Sequence, residues 1–420
     1  MKATEAREAT EAREAREATE ARLWRRIAED AGTPVYVYDA EAIRAQYRRL
    51  DAALAPVKHR ICYSVKANGN LSILRLLRSL GSGVDIVSSG ELARALKAGF
   101  SGADVVFSGV GKTADEMRAA LDAGVGMINV ESEAELDALA AVATAQGKTA
   151  RVAIRVNPDV KVDVHPYTAT GAKGMKFGVP IDEAEALALR TSRTQGLQLV
   201  GLAMHIGSGI KASGPFVEAV LKMLELVASV RAAGIASLEF LDIGGGLGIR
   251  YRDEDQPLEV DAWADAVLPH LATARLTIVT EPGRFLVGNA GVLLTKLLYR
   301  KKSGGRQIAI VDAGMTDLIR PSHYQAYHRI SVVGGEGRPE VSYDVVGPIC
   351  ESGDFFALDR TLPQLEDGDL LALHGAGAYG FVMTSSYNAR PRPPEVLIDG
   401  GKYSVVRERE TVDDLMRGER

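Results

Sequence analysis

Tyr63-Ser64-Val65-Lys66-Ala67-Asn68 sets one lysine at the end of a β-branched and aromatic run, Ile61–Val65. The run reads as a buried strand. A lysine placed deep in a protein needs a partner or a task. Desolvation favours the neutral amine, a nucleophile suited to Schiff-base chemistry. A snorkelling or salt-bridged lysine is the ordinary alternative, and this stretch alone does not decide between them. The rest of the chain supplies the context.

Seven more runs of the same kind follow: Val84–Val87, Val105–Ser108, Met127–Val130, Val152–Val156, Leu199–His205, Leu238–Ile243 and Leu276–Thr280. Helical patterns lie between them: Leu71–Leu80, Gly90–Ala98, Ala114–Ala123, Glu133–Gln146, Asp182–Thr194, Pro215–Ala233 and Val260–Ala272. Eight βα units in about 250 residues predict a TIM barrel. An open doubly wound sheet would usually have fewer strands. After Gly291 the helical patterns thin, and short alternating runs take over: Gln307–Val311, Ile330–Val333, Ser342–Val346, Asp369–Leu373 and Glu395–Asp399. They read as an antiparallel β domain. The predicted fold is therefore α/β, a TIM (β/α)8 barrel plus a C-terminal antiparallel β domain. The expected divisions are a tail at 1–22, a lead-in at 23–40, the barrel at 41–291 and the β domain at 292–420.

The 420 residues exceed one ordinary core, which agrees with two domains. A net charge of −5 gives no basic footprint for nucleic acid or an anionic membrane. No apolar run approaches the roughly 20 residues of a membrane helix, and the N-terminus shows no secretory core. Cys62 and Cys350 alone make no disulfide framework, so a reducing, cytoplasmic setting is expected. In the first 22 residues alanine recurs at every third position from Ala3 to Ala21. A period of three drifts round a helix and makes no apolar stripe. Arg7–Glu11, Arg13–Glu17 and Arg16–Glu20 could support a solvated helix by roughly 0.2–0.5 kcal/mol each.

A TIM barrel builds its site at the C-terminal ends of its strands. Lys66, Asp85, Arg155, Asn157, His205, Gly244 and Glu281 fall on or just after such ends. Gly244-Gly245-Gly246-Leu247-Gly248 reads equally as a phosphate cradle and as a tight turn. In His205-Ile206-Gly207-Ser208-Gly209, Ser208 can donate to a phosphate, while a lone histidine is ordinarily a satisfied core residue. Glu281-Pro282-Gly283-Arg284 reads either as a functional carboxylate and guanidinium or as a structural pair. Seven scattered histidines and no cysteine cluster argue against a catalytic metal.

Together these motifs resemble the fold-type III pyridoxal-phosphate (PLP) decarboxylases of the alanine racemase-like barrel family. The likeness runs from about Leu23 to the C-terminus. It rests on Tyr63–Asn68, Ser108–Thr113, His165-Pro166-Tyr167, Lys176-Phe177-Gly178, His205–Ser208, Gly244–Gly248, Glu281–Arg284, Asp312–Met315, Cys350–Asp354 and Gly377–Gly380. Cys350–Asp354, Arg320-Pro321 and His165-Pro166-Tyr167 point to the branch that acts on diaminopimelate rather than on ornithine or arginine. The resemblance implies decarboxylation of meso-2,6-diaminopimelate to L-lysine and CO2. It implies that Lys66 attaches PLP, that Glu281 binds the pyridine nitrogen and that His205 stacks on the ring. Ser208, Gly244, Gly245, Gly246, the backbone near Gly283, and Tyr379 would hold the phosphate. Arg155 would position Glu281 or close the barrel, and Asp85 would orient Lys66 or a neighbour. Cys350 would be the proton donor, supplied by the partner in a homodimer with shared sites. Arg284, Arg320, Tyr324 and Glu351 would read the distal end of the amino-acid substrate, and Tyr379 would contact the substrate as well as the phosphate. Two departures stand out. Gly209 replaces the usual Gln, as in ornithine-type relatives. The alanine repeat stands where the family's opening strand is expected, which leaves an edge of the β domain without an expected partner.

Overall fold

The computed structural model describes residues 18–420. Residues 1–17 lie outside it, and with them one member or both of Arg7–Glu11, Arg13–Glu17 and Arg16–Glu20. The described chain divides into two compact units. One holds Ala42–Arg250 and Glu254–Gly288; the other holds residues 18–41, Tyr251–Asp253 and Asn289–Arg420.

The first unit is a closed barrel. Its eight main strands are His59–Ser64, Gly83–Ile86, Val105–Phe107, Met127–Val130, Ala150–Asn157, Leu197–Met204, Phe240–Asp242 and Thr277–Thr280. Each lies within two residues, at either end, of the run predicted for it. Each pairs in parallel with the next; the eighth pairs with the first and closes the ring. An unpredicted two-residue strand, Val179–Pro180, pairs with the end of the fifth. The predicted helices form, with caps that explain their starts. Asn70, Ser88, Thr113 and Ser132 each accept a backbone N–H of the first helical turn. Cys62, Val106, Met127, Ala153, Val200, Ala203 and Val279 pack the barrel interior. Cys62 is thus a core residue, and burial pushes its thiol well up.

The second unit is built round the long strand Gly291–Ser303, which pairs antiparallel with Val35–Asp39, Leu370–Leu373 and Arg306–Val311. Most of its ladders are antiparallel, as expected. Two are parallel: Arg306–Val311 with Glu340–Val346, and Val35–Asp39 with Glu395–Asp399. Both join strands separated by long chain segments, which a parallel return requires.

Residues 23–40 are more than a lead-in. A helix spans 18–31, and Val35–Asp39 is an inner strand between Gly291–Ser303 and Glu395–Asp399. The opening strand therefore sits just downstream of the repeat. Trp24 and Ile27 pack with Val35, Val37, Val292, Leu294 and Val396. Trp24→Ala should destabilise this unit by roughly 3–5 kcal/mol, read as a lower urea midpoint, because a buried indole leaves a large cavity.

Candidate active site

The expected site residues divide between the two units. In the barrel unit, Lys66 lies just past its strand, in the single turn Val65–Ala67. The quoted hexapeptide closes on itself: the Tyr63 hydroxyl donates to the Asn68 carbonyl at 2.9 Å, and Asn68 Oδ1 accepts from the Asn70 amide at 3.0 Å. Gly283 makes room beside it, since a Cβ there would stand 2.9 Å from Ala67 Cβ. Lys66 is less buried than its strand pattern suggested. Its side chain is 36% exposed, and Nζ donates to Asp85 Oδ2 at 2.5 Å. Asp85 is fully buried; Ser64 Oγ also donates to Oδ2, at 2.8 Å, while Oδ1 has no hydrogen-bond partner among the described residues.

Beside this pair lies a buried polar layer. Asn129 Nδ2 donates to Ser108 Oγ at 3.1 Å and to Asp242 Oδ2 at 3.3 Å. Ser108 Oγ donates to Glu281 Oε1 at 3.4 Å. Burial first, and then repulsion from Asp242 and Asp85, holds the Glu281 carboxyl well above the usual carboxylate range; Lys66 partly opposes this. Burial likewise raises Asp242 to about 6. The two carboxyl groups titrate together, so the raised affinity for a proton belongs to the pair. His205 is driven the other way. Burial, then Arg155 and Lys66, lowers its pKa well below the usual histidine value, so the ring is neutral. Arg155 NH1 donates to Glu131 Oε1 at 2.7 Å, and the same oxygen accepts the Gly109 amide at 2.8 Å. The salt-bridge partner of Arg155 is therefore Glu131, not Glu281.

The glycine run can be nothing else. A Cβ on Gly244 would stand 2.6 Å from Met204 O, one on Gly245 2.2 Å from Glu281 O, and one on Gly246 2.5 Å from Gly207 O. Next to it, Arg284 donates to Ser208 Oγ at 3.1 and 3.3 Å through NH2 and Nε. A hydroxyl, a guanidinium and close-packed backbone thus meet beside a neutral imidazole. The Gly209 backbone is left-handed at φ +90°, and its amide donates to Gly246 O at 3.0 Å. The glycine there meets a backbone need that a glutamine would strain. The barrel unit therefore fits PLP: a cradle for its phosphate, a flat neutral ring, a buried carboxyl pair with a raised affinity for a proton, and a lysine.

In the β unit, Cys350 is an exposed free thiol whose amide donates to Asn388 Oδ1 at 2.9 Å. Its loop is tied down by buried Asp354, which accepts the Ile349 and Met315 amides at 2.6 Å each. Glu351 follows on the same exposed loop. Tyr379 is half-buried at φ +56°, an uncommon backbone conformation for an aromatic residue and one that clusters at functional sites. Arg320 and Tyr324 begin and end one short helix. Only 6% of Arg320 is exposed, yet its sole side-chain hydrogen bond among the described residues goes to the Tyr251 hydroxyl, at 2.7 Å. A buried guanidinium without a carboxylate is costly unless an anion joins it.

Sequence reasoning missed Ser64, Ser108, Asn129, Glu131, Asp242 and Tyr251. Asn129 and Asp242 carried a usable signal. Each is a lone polar residue in a short apolar strand, as Lys66 is a lone charge at the end of one.

The family described as "Pyridoxal-dependent decarboxylase, pyridoxal binding domain" matches residues 40–288. The diaminopimelate decarboxylase of Pseudomonas aeruginosa is 52% identical over 394 residues, 94% of each chain. A crystal structure of the Helicobacter pylori diaminopimelate decarboxylase complexed with L-lysine superposes with a TM-score of 0.90 at 42% identity, covering 94% of this chain and 98% of that one. The M. jannaschii diaminopimelate decarboxylase in complex with L-lysine gives 0.89 at 36% identity, with 94% of each chain covered. Among the described residues no helix is long and apolar enough to cross a membrane.

Proposed function

Because this chain belongs to the pyridoxal-dependent decarboxylases, and within them to the diaminopimelate decarboxylases, we infer that it converts meso-2,6-diaminopimelate to L-lysine and CO2 with pyridoxal 5′-phosphate as cofactor. This is the last step of lysine synthesis. Within the chain, the observation that best supports the substrate is Arg320, a buried cation with no carboxylate partner among the described residues. A substrate whose far end bears a carboxylate supplies one. Ornithine and arginine have no carboxylate there.

Each residue then has a task. Lys66 attaches the cofactor, and Asp85 holds its ammonium in place until then. Ser208, Arg284, Gly244, Gly245, Gly246, Gly283 and Tyr379 hold the phosphate. His205 lies against the ring without adding charge. Glu281 and Asp242 hold a proton where the ring nitrogen is to be received. When bound, the cofactor supplies the electron sink that carbon–carbon cleavage needs. Arg320, Tyr324 and Glu351 grip the distal carboxylate and ammonium, which turns the carboxylate to be lost toward the reacting side. Cys350 Sγ–H delivers the proton that replaces it, and it reaches the site from a second copy of the chain in a homodimer.

Borohydride reduction of the holoenzyme followed by peptide mapping should place the label on Lys66. CO2 release should be fastest from diaminopimelate among diaminopimelate, ornithine, arginine and lysine. A label on Lys112 or Lys176 would refute the lysine assignment, and faster release from ornithine would refute the substrate.

A further inference from the structure

The chain leaves the barrel unit for three residues only. Tyr251–Asp253 group with the β unit, whereas Arg250 and Glu254 group with the barrel. None of the roles above accounts for this excursion. It is firmly seated within the β unit. The Arg252 guanidinium lies 4.1 Å from the centroid of the Tyr327 ring, which also receives Arg360 at 4.0 Å. Arg360 in turn donates to the His328 carbonyl at 2.9 Å. The Tyr251 ring meets His328 edge-on at 5.5 Å and lies against the backbone of Gly375, where a Cβ would come within 3.2 Å of the ring. Held this way, the Tyr251 hydroxyl accepts from Arg320 NH1 at 2.7 Å, and the guanidinium carbon stands 5.1 Å from the ring centroid.

The chemistry of this contact differs from that of a salt bridge. A guanidinium has five N–H donors in a planar fork. A phenol that takes one of them fixes the plane and leaves the others for an incoming anion. A carboxylate in the same place would also orient the fork, but it would cancel the charge that draws the anion. Without either, Arg320 would have to give up its own rotamer freedom each time it bound.

We propose that Tyr251 is a positioning residue that sets the plane of the Arg320 guanidinium for the distal carboxylate, and so sharpens the choice of amino acids that carry one. The proposal rests on the reading of Arg320 given above. It separates two ligands that differ at that group alone. L-Lysine keeps the distal carboxylate after decarboxylation, and 1,5-diaminopentane lacks it.

The test measures binding of both to the holoenzyme by calorimetry, in wild type, Tyr251→Phe and Arg320→Met. Tyr251→Phe keeps the ring against Gly375 and His328 and removes only the hydroxyl. It should weaken L-lysine about tenfold, the scale of one charge-assisted hydrogen bond, and leave 1,5-diaminopentane unchanged. With diaminopimelate the loss should fall on KM, and the cofactor absorption should match wild type. Equal weakening of both ligands, or of neither, would overturn the proposal. If Arg320→Met weakens L-lysine selectively while Tyr251→Phe does not, the positioning role alone is wrong. If Arg320→Met also fails to discriminate, the reading of Arg320 falls, and the proposal falls with it.

Discussion

Arg320→Ala should lower kcat/KM for diaminopimelate by roughly 3–5 kcal/mol, or about 10^2- to 10^4-fold. The size follows from burial. With only 6% of Arg320 exposed, a carboxylate brought up to it is desolvated and depends on the guanidinium for compensation. Removing the guanidinium leaves that charge uncompensated, which is the expensive way to break an ion pair. The loss should shrink for a substrate analogue that lacks the distal carboxylate, because such an analogue never used Arg320. Arg320→Lys should recover only part of the rate, since an ammonium cannot present a planar fork. An Arg320→Ala enzyme with a near wild-type kcat/KM for diaminopimelate would place the distal clamp elsewhere.

The barrel was the most legible part of the chain, because a strand buried on both faces writes itself as a short apolar run and a barrel helix as a 3.6-residue stripe. What those periods do not carry is which side chains meet after the ring closes. Asn129 and Asp242 lie 113 residues apart, and only closure brings their side chains within 3.3 Å. The same limit explains Lys66. Its place at a strand end was readable, but its exposure and its pairing with Asp85 depend on strand register, in which Ser64 stands opposite Asp85. Val35–Asp39 escaped notice for another reason. It is a short run between a proline and a helix, and its partners, Gly291–Ser303 and Glu395–Asp399, lie more than 250 residues later. Tyr251 had no local mark at all. Its meaning comes from a three-residue excursion that no periodicity records.

Lys66→Ala and Cys350→Ala chains should each be nearly inactive alone, and mixing them under conditions that exchange subunits should restore about a quarter of wild-type activity. Lys66 lies in the barrel unit and Cys350 in the β unit. The thiol is exposed and sits on a loop held by Asp354, so it is presented outward from its own unit. If each site takes Lys66 from one subunit and Cys350 from the other, a mixed dimer has one site with both residues intact and one with neither. Random exchange makes half of the dimers mixed, and half of their sites work, which gives the quarter. A site built within one chain predicts a different result, because every chain in the mixture then lacks one of the two residues. Restored activity should also depend on protein concentration, falling as the dimers are diluted apart. Mass spectrometry showing exchanged subunits with no regained CO2 release would assign both residues to a single chain.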